Sequence, residues 1–244
     1  MKFSTVLFYR TLVKASLCSF RVVYKETDLQ VFAEKKLVSE TLELIRRIRS
    51  PIEAYIASHP EFLTSLEPLK IQEGVNKVVR KMLEAGEVAG VGPMASVAGT
   101  IAEEVGFGLI NQGLTKEVVV ENGGDVFLAL SKKAKVGIFA GDSPLSGKVA
   151  VVVGKELMPC GVCTSSGKVG HSLSFGNADA ITVIHRSASI ADALATAFGN
   201  LMKTPSDFKK VIAKAEKVKD IYGVVCIFED KLMAWGKKIR LEPI

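Results

Sequence analysis

The chain has 244 residues, 48% of them hydrophobic and 24% charged, enough to bury a full core without disulfide or metal staples. These proportions exclude a disordered tail, a collagen-like repeat and a disulfide scaffold. Lys and Arg outnumber Asp and Glu by 32 to 26, a net charge of +6, which suits an anionic ligand but lacks the clustered basic and aromatic residues of a nucleic-acid binder.

In chain order, the apolar run at 6–8 is too short for a secretory signal, and Arg10 and Lys14 break its continuation. Residues 21–33, RVVYKETDLQVFA, alternate as two strands with a turn near 26–28. Leu37, Val38, Leu42, Ile45 and Ile48 recur at helical spacing, and Ser50-Pro51-Ile52-Glu53 predicts the start of a second helix, ended by His59-Pro60. Residues 75–85 form a further amphipathic helix that Gly86 or Gly90 stops. Residues 95–109 are helical in period but rich in Ala and Gly, so another backbone or a ligand can come close. The longest apolar stretch, 91–110, carries Glu103 and Glu104 and several glycines, and is not a membrane span.

Strands are predicted at 117–120, 126–130, 136–140, 149–153, 180–185, 223–228 and 239–241, and helices at 188–202 and 208–218. Strands fall in adjacent pairs with helices between the pairs. That pattern predicts an α+β fold with antiparallel sheets packed by helix pairs, not a doubly wound parallel sheet. Residues 1–244 read as one unit, compatible with an internal duplication of a β2α2β2-like module. Four cysteines without a leader predict a reducing, cytoplasmic setting with no membrane.

Five segments could carry chemistry. VGPMASVAG (91–99) places Gly92, Pro93 and Met94 before a small-residue helix, where exposed N–H groups attract anions; a packing loop needs the same residues. ENGGDVF (121–127) sets Gly123 and Gly124 in a hairpin-type turn ahead of Asp125; alone, the turn is the simpler reading. In CTSSGKVGHSLSFGNADA (163–180), Thr164, Ser165 and Ser166 stand beside Gly167, with Lys168 and His171 close behind, a dense set of donors between strands. Those residues also allow a Ser/His hydrolase in principle, though the sequence has no G-x-S-x-G elbow and places no acid to orient His171. In ADALATA (191–197), Asp192 and Thr196 share a helix face inside an apolar run. A buried carboxylate needs a partner, and a metal would supply one. Cys160 and Cys163 form a lone C-x-x-C with no second pair; two unrelated buried thiols is the plainer reading. His59 and His185 read as structural.

Together these blocks resemble the ApbE (FAD:protein FMN transferase) superfamily, in particular a shorter branch of it, from about residue 20 to the C-terminus. The likeness to the flavin transferases themselves is looser and centres on three places. The GGD of 123–125 looks like their flavin-pocket turn, 164–167 like their T-S-G segment, and ADALATA like their Mg²⁺ motif, whose two ligands fall on Asp192 and Thr196. The resemblance implies a T-fold-like architecture and a further metal ligand from a backbone carbonyl in 95–99. It also implies Mg²⁺ on the pyrophosphate of FAD, transfer of FMN to a Thr or Ser of a protein acceptor, and a homo-oligomer. The transferases' H-x-x-D-P-x-T-G is absent: His171 is followed by Ser172-Leu173-Ser174-Phe175-Gly176.

These residues support three functional expectations. The first is an Mg²⁺-dependent enzyme acting on FAD, FMN or another nucleotide pyrophosphate by transfer or hydrolysis. Asp192 and Thr196 hold metal. Gly92, Met94, Gly123, Gly124, Asp125 and 164–167 line the pocket, and His171 or Lys168 contacts phosphate or moves a proton. The second is a sulfur carrier using Cys163 as an activated thiolate. The third is a nucleotide-binding module without catalysis.

Overall fold

The computed structural model describes residues 17–167 and 176–244. Eleven strands and six α-helices lie among them. In chain order they are β1 (Cys18–Tyr24), β2 (Thr27–Ala33), α1 (Val38–Ser58), α2 (Glu61–Thr64), α3 (Lys77–Ala89), α4 (Val97–Asn111), β3 (Val118–Asn122), β4 (Asp125–Ala129), β5 (Ala134–Gly137), β6 (Val149–Val153), β7 (Cys160–Ser165), β8 (Ala180–His185), α5 (Ala188–Leu201), α6 (Phe208–Ala215), β9 (Ile221–Phe228), β10 (Lys231–Trp235) and β11 (Arg240–Pro243).

Eight strands form one sheet in the order β1-β2-β3-β4-β7-β8-β9-β10, and β11-β6-β5 form a second. Every pairing is antiparallel, so the α+β expectation with antiparallel sheets holds. The large sheet is laid down in two runs of like connectivity, strand–strand–helices–strand–strand.

Alternation along the strands separates two cores. Val31, Val118, Val120, Phe127, Cys163, Val183 and Val224 face the helices. Their neighbours Phe32, Val119, Val126, Val162, Ile184 and Val225 face the small sheet, where Val136, Val151 and Val153 cover them. Strands buried on both faces read as apolar runs, which is why β3, β4, β6 and β8 show little alternation in sequence. Among the described residues no helix is long and apolar enough to cross a membrane.

Three expectations change. The break at Ser50-Pro51 is absent: α1 runs through Pro51 as one helix of 21 residues. Leu44, Ile45, Ile48 and Ile52 keep one apolar stripe in register across it, and their burial outweighs the roughly 3 kcal/mol that an interior proline costs. β7 has the sequence CGVCTS, with little strand propensity, and is made a strand by its neighbours β4 and β8. β10 is an edge strand with a mostly exposed pattern, so it carries no core signal. Elsewhere the ends are local. Asn76 accepts from the Val78 N–H at 2.9 Å to start α3, and Gly90, at φ 74°, ends it.

α5 lies directly on β7. A Cβ at Gly161 would stand 2.7 Å from the Ala188 Cβ and closer still to its backbone. Gly161→Ala is therefore expected to lower unfolding stability by about 1–3 kcal/mol or more, as overpacked cores do. Denaturant titration measures it; a loss under about 0.5 kcal/mol would contradict this packing.

Candidate functional site

The site gathers where the β3–β4 hairpin meets the first turns of α4 and α5. The hairpin closes through Gly123 and Gly124 at φ 66° and 106°, the two positive-φ positions that a type I′ turn requires. The Glu121 Oε1 accepts from the Gly124 N–H at 2.9 Å and holds the turn. Asn122 and Asp125 flank it, both buried and both on the helix face of the sheet. The Asn122 Nδ2 donates to the Ala98 carbonyl at 3.1 Å, tying the hairpin to the start of α4.

α4 and α5 approach closely because their facing residues are small. A Cβ at Gly99 would lie 2.8 Å from the Asp192 Cβ. In that gap the Asp192 Oδ2 accepts from the Gly99 N–H at 2.8 Å, and the neighbouring Ala98 amide also favours the charged carboxylate. The arrangement is returned from the other helix. The Glu103 Oε2 accepts from the Ser187 Oγ at 2.8 Å, the Ser189 N–H at 3.2 Å and the Ala188 N–H. Each helix thus caps the other's N-terminal turn with a carboxylate, where free N–H groups and the dipole favour negative charge. Lys81 on α3 pairs with Glu103 at 2.9 Å and with Glu104. Burial pulls the Lys81 ammonium down, but the two glutamates hold it above its ordinary value.

Asp192 is 9% exposed, and burial pushes its carboxyl up to about 7 against the two amides that favour its charge. Asp125 sits opposite Cys163 in the β4–β7 pairing. Burial raises its carboxyl well above the usual range, and the Asp192 charge adds to the rise; the nearby Cys163 thiol and Thr164 N–H pull the other way. Among the described residues, Asp125 Oδ1 and Ser165 Oγ are buried without a hydrogen-bond partner. Thr196, 8% exposed, follows Asp192 by one turn of α5.

The structure brings Asp125, Cys163 and Asp192 into electrostatic reach of one another and sets Thr196 on the Asp192 helix. It separates others. Thr164 belongs to β7 and not to a loop; it bonds Thr182 at 2.9 Å, and alternation turns it to the sheet face opposite Cys163 and Ser165. The three hydroxyls therefore do not converge as a single donor set. Ser166 and Gly167 follow the strand, with the Gly167 N–H on the Ala178 carbonyl at 3.1 Å. Gly92 is needed for packing, since a Cβ there would lie 2.7 Å from the Ser65 carbonyl carbon, and Met94 packs on the helix-side core. Lys168 and His171 lie outside the described residues.

The thiols change the sulfur reading. Cys160 belongs to the small-sheet core and Cys163 to the helix-side core, because an i, i+3 spacing on a strand points to opposite faces. They form neither a redox pair nor half a metal site. Burial and then Asp125 and Asp192 push the Cys163 thiol well up, and its Sγ donates to the Ala188 carbonyl at 3.3 Å. An activated thiolate needs the reverse environment. His185 is structural: its Nδ1 accepts from the Ser187 N–H at 2.9 Å and its Nε2 faces the Lys219 carbonyl at 2.8 Å. His59 stacks on Tyr55.

Asn122 and Glu103 were not among the sequence candidates; the Ala98 carbonyl falls within the 95–99 stretch that the resemblance implied, without being singled out there. Glu103, with Glu104, carried a signal like that of Asp192, acids inside an apolar helix. Asn122 carried none.

With this geometry in place, comparison with known proteins is decisive. The sequence model of the family described as "AbpE bacteria" matches residues 10–221. The chain belongs to this ApbE-like family. It is 42% identical over 222 residues to a UPF0280 protein of Methanococcus aeolicus, covering 89% of each chain, and 43% identical over 216 residues to one of Archaeoglobus fulgidus, covering 88% and 86%. Among solved structures it is similar to the flavin transferase ApbE of Vibrio cholerae, with a TM-score of 0.58 at 15% identity over 91% of this chain and 97% of that one. The apo flavinyl transferase ApbE of Pseudomonas stutzeri gives 0.59 at 14% identity, over 93% and 94%. At such identities the likeness establishes the ApbE fold.

Two outcomes are expected of this ApbE-like site. In the native protein, a thiol reagent labels the exposed Cys18 and leaves Cys163 unmodified until unfolding, as peptide mapping will show; fast labelling of Cys163 would restore a nucleophilic role. The second concerns pH. Carboxyls raised on folding stabilise the metal-free protein below their unfolded values near 4, and that contribution fades as pH rises through the folded values. The buried His185, held below its ordinary value, works in the opposite sense, so wild type alone mixes the two. Asp125→Asn is therefore expected to gain thermal stability relative to wild type as pH goes from about 5.5 to about 8.5. A constant difference across that range would refute the raised carboxyls.

Proposed function

We propose that the protein binds a divalent cation, Mg²⁺, together with a flavin nucleotide or related nucleotide pyrophosphate, and transfers or hydrolyses at that pyrophosphate. The observation that carries this reading is a buried pair of acids, Asp125 and Asp192, both raised by burial and the first also by the charge of the second, while Asp125 Oδ1 lacks a partner among the described residues. Such a pair is costly by itself and is relieved by a bound positive charge. The available donors are hard oxygens, which suit Mg²⁺.

Asp192 and Thr196 would hold the ion, with the Ala98 carbonyl presented beside them by Asn122 and Asp125 facing them from β4. Mg²⁺ so held supplies charge neutralisation for phosphate oxygens. The chain's own groups do the rest. Among the described residues the Gly123-Gly124 turn leaves its backbone open: no atom of theirs lies within 4 Å of a Cβ at Gly123, and of them only the Thr164 carbonyl approaches one at Gly124, at 3.7 Å. A flat or anionic ligand can therefore lie against the peptide planes. Asp125, ionised once a cation lies beside it, would accept a hydrogen bond or a proton at Oδ1. The ApbE fold of the neighbours, which are named as flavin and flavinyl transferases, supports a flavin ligand and its transfer; a Thr or Ser hydroxyl of a protein acceptor as the receiving group is what the family resemblance implies.

The test is incubation of purified protein with FAD, with and without Mg²⁺, and separation of FAD, FMN and AMP. FMN and AMP are expected only with Mg²⁺. Asp192→Ala is expected to weaken Mg²⁺ binding by at least about tenfold, or ~1.4 kcal/mol, and to remove the products. Asp192→Asn keeps an acceptor for the Gly99 N–H and separates loss of the charge from loss of the helix cap. Neither turnover nor flavin binding in Mg²⁺, with Asp192→Ala indistinguishable from wild type, would overturn the reading.

A further inference from the structure

We propose that Glu103 is a positioning residue for the candidate cation site: by capping α5 from α4, it fixes where α5 presents Asp192 and Thr196. This inference rests on the cation reading above, and it concerns a residue that touches neither the ion nor a nucleotide.

The contacts form a closed ring. From Gly99 to Glu103 is four residues, one turn of α4. From Ala188 to Asp192 is four residues, one turn of α5. Asp192 Oδ2 receives the Gly99 N–H at 2.8 Å and closes one end; Glu103 Oε2 receives the Ala188 and Ser189 N–H groups and closes the other. Across the middle, the Thr100 Oγ1 and Ser189 Oγ hydrogen-bond at 2.7 Å. Single helical turns are stiff, so neither cap can shift without shifting the other. Glu103 itself has little freedom. It is 4% exposed, its Oε1 is held by Lys81 at 2.9 Å, and its Oε2 also takes the Ser187 hydroxyl at 2.8 Å. Lys81 extends the ring to α3 and leaves the glutamate no solvent-facing alternative.

Loss of the Glu103 charge frees the first turn of α5 and lets Asp192 move relative to Ala98 and Asp125. Outlying partners of metal ligands act on affinity in this way, typically by 10–100-fold.

The experiment uses the full chain with Mn²⁺ as the probe, read by loss of the free-ion EPR signal, in wild type, Glu103→Gln, Ser187→Ala and Val211→Ala. The last removes buried α6 volume and serves as a control for lost stability without a changed ring. Glu103→Gln is expected to weaken Mn²⁺ binding by about tenfold, Ser187→Ala by less, and Val211→Ala not at all. In an Asp192→Asn background Glu103→Gln adds no further loss. Amide exchange of the metal-free protein gives a second readout: in Glu103→Gln the Ala98 and Gly99 amides, on the far side of the ring, exchange faster. Equal Mn²⁺ affinity in Glu103→Gln and wild type overturns the proposal, as does a loss matched by Val211→Ala. Should Glu103→Gln not fold, Ser187→Ala carries the same comparison. Should wild type bind no Mn²⁺, the cation reading fails, and unchanged exchange at Ala98 and Gly99 would then overturn the coupling as well.

Discussion

Two helices whose N-terminal turns overlap side by side, with small residues between them, bury N–H groups that the helices' own backbone cannot satisfy. α4 and α5 do this, and a carboxylate from each supplies the acceptors for the other. The glycine at 99 is the condition for that approach, and the acids are its consequence. Helix caps of this kind are worth about 0.5–2 kcal/mol each, and more where the acid is buried, because removing the partner strands a charge or a donor away from water. The hairpin of β3 and β4 is tied to the same point through Asn122 and the Ala98 carbonyl, so sheet and helices share one anchor.

The same arrangement that closes the helix ends sets two acids against the sheet. Glu103 has a lysine beside it; Asp192 and Asp125 have each other. Among the described residues, one of the two carboxylates in the ring is paired with a cation and the other is not. That asymmetry distinguishes a structural acid from a candidate ligand better than burial does, since Glu103 is 4% and Asp192 9% exposed. It also explains the thiol. Cys163 sits in the field of two carboxyls and an apolar core, which suits a weak donor and opposes a thiolate.

Much of the fold was legible in the sequence. The 21–33 hairpin, the strand at 180–185, the helix from 188 and the glycine turn at 123–124 all follow from period and turn residues. The misses share a cause. Pro51 stays inside α1 because tertiary burial of Ile48 and Ile52 prevails over a local breaker. β7, poor in strand formers, is a strand because β4 and β8 offer it both edges. β10 lies at an edge, where little burial shapes the sequence. Of the candidate site, Asp125, Asp192 and Thr196 were legible as acids and a hydroxyl in apolar or glycine contexts. The spread of Thr164 and Ser165 to opposite faces was not, because a run read as a loop carries no face.

By itself, the sequence determined the antiparallel α+β class, the two-glycine turn, the acid within ADALATA and membership of the ApbE-like family, since each depends on local period, turn chemistry or motif. Only the tertiary structure decided that Asp192 meets the Gly99 amide 93 residues away and that Glu103 answers it. It alone set Asp125 opposite Cys163 and placed Cys160 and Cys163 in different cores. Those facts come from strand register and helix approach, which long-range packing sets and no local window of sequence contains.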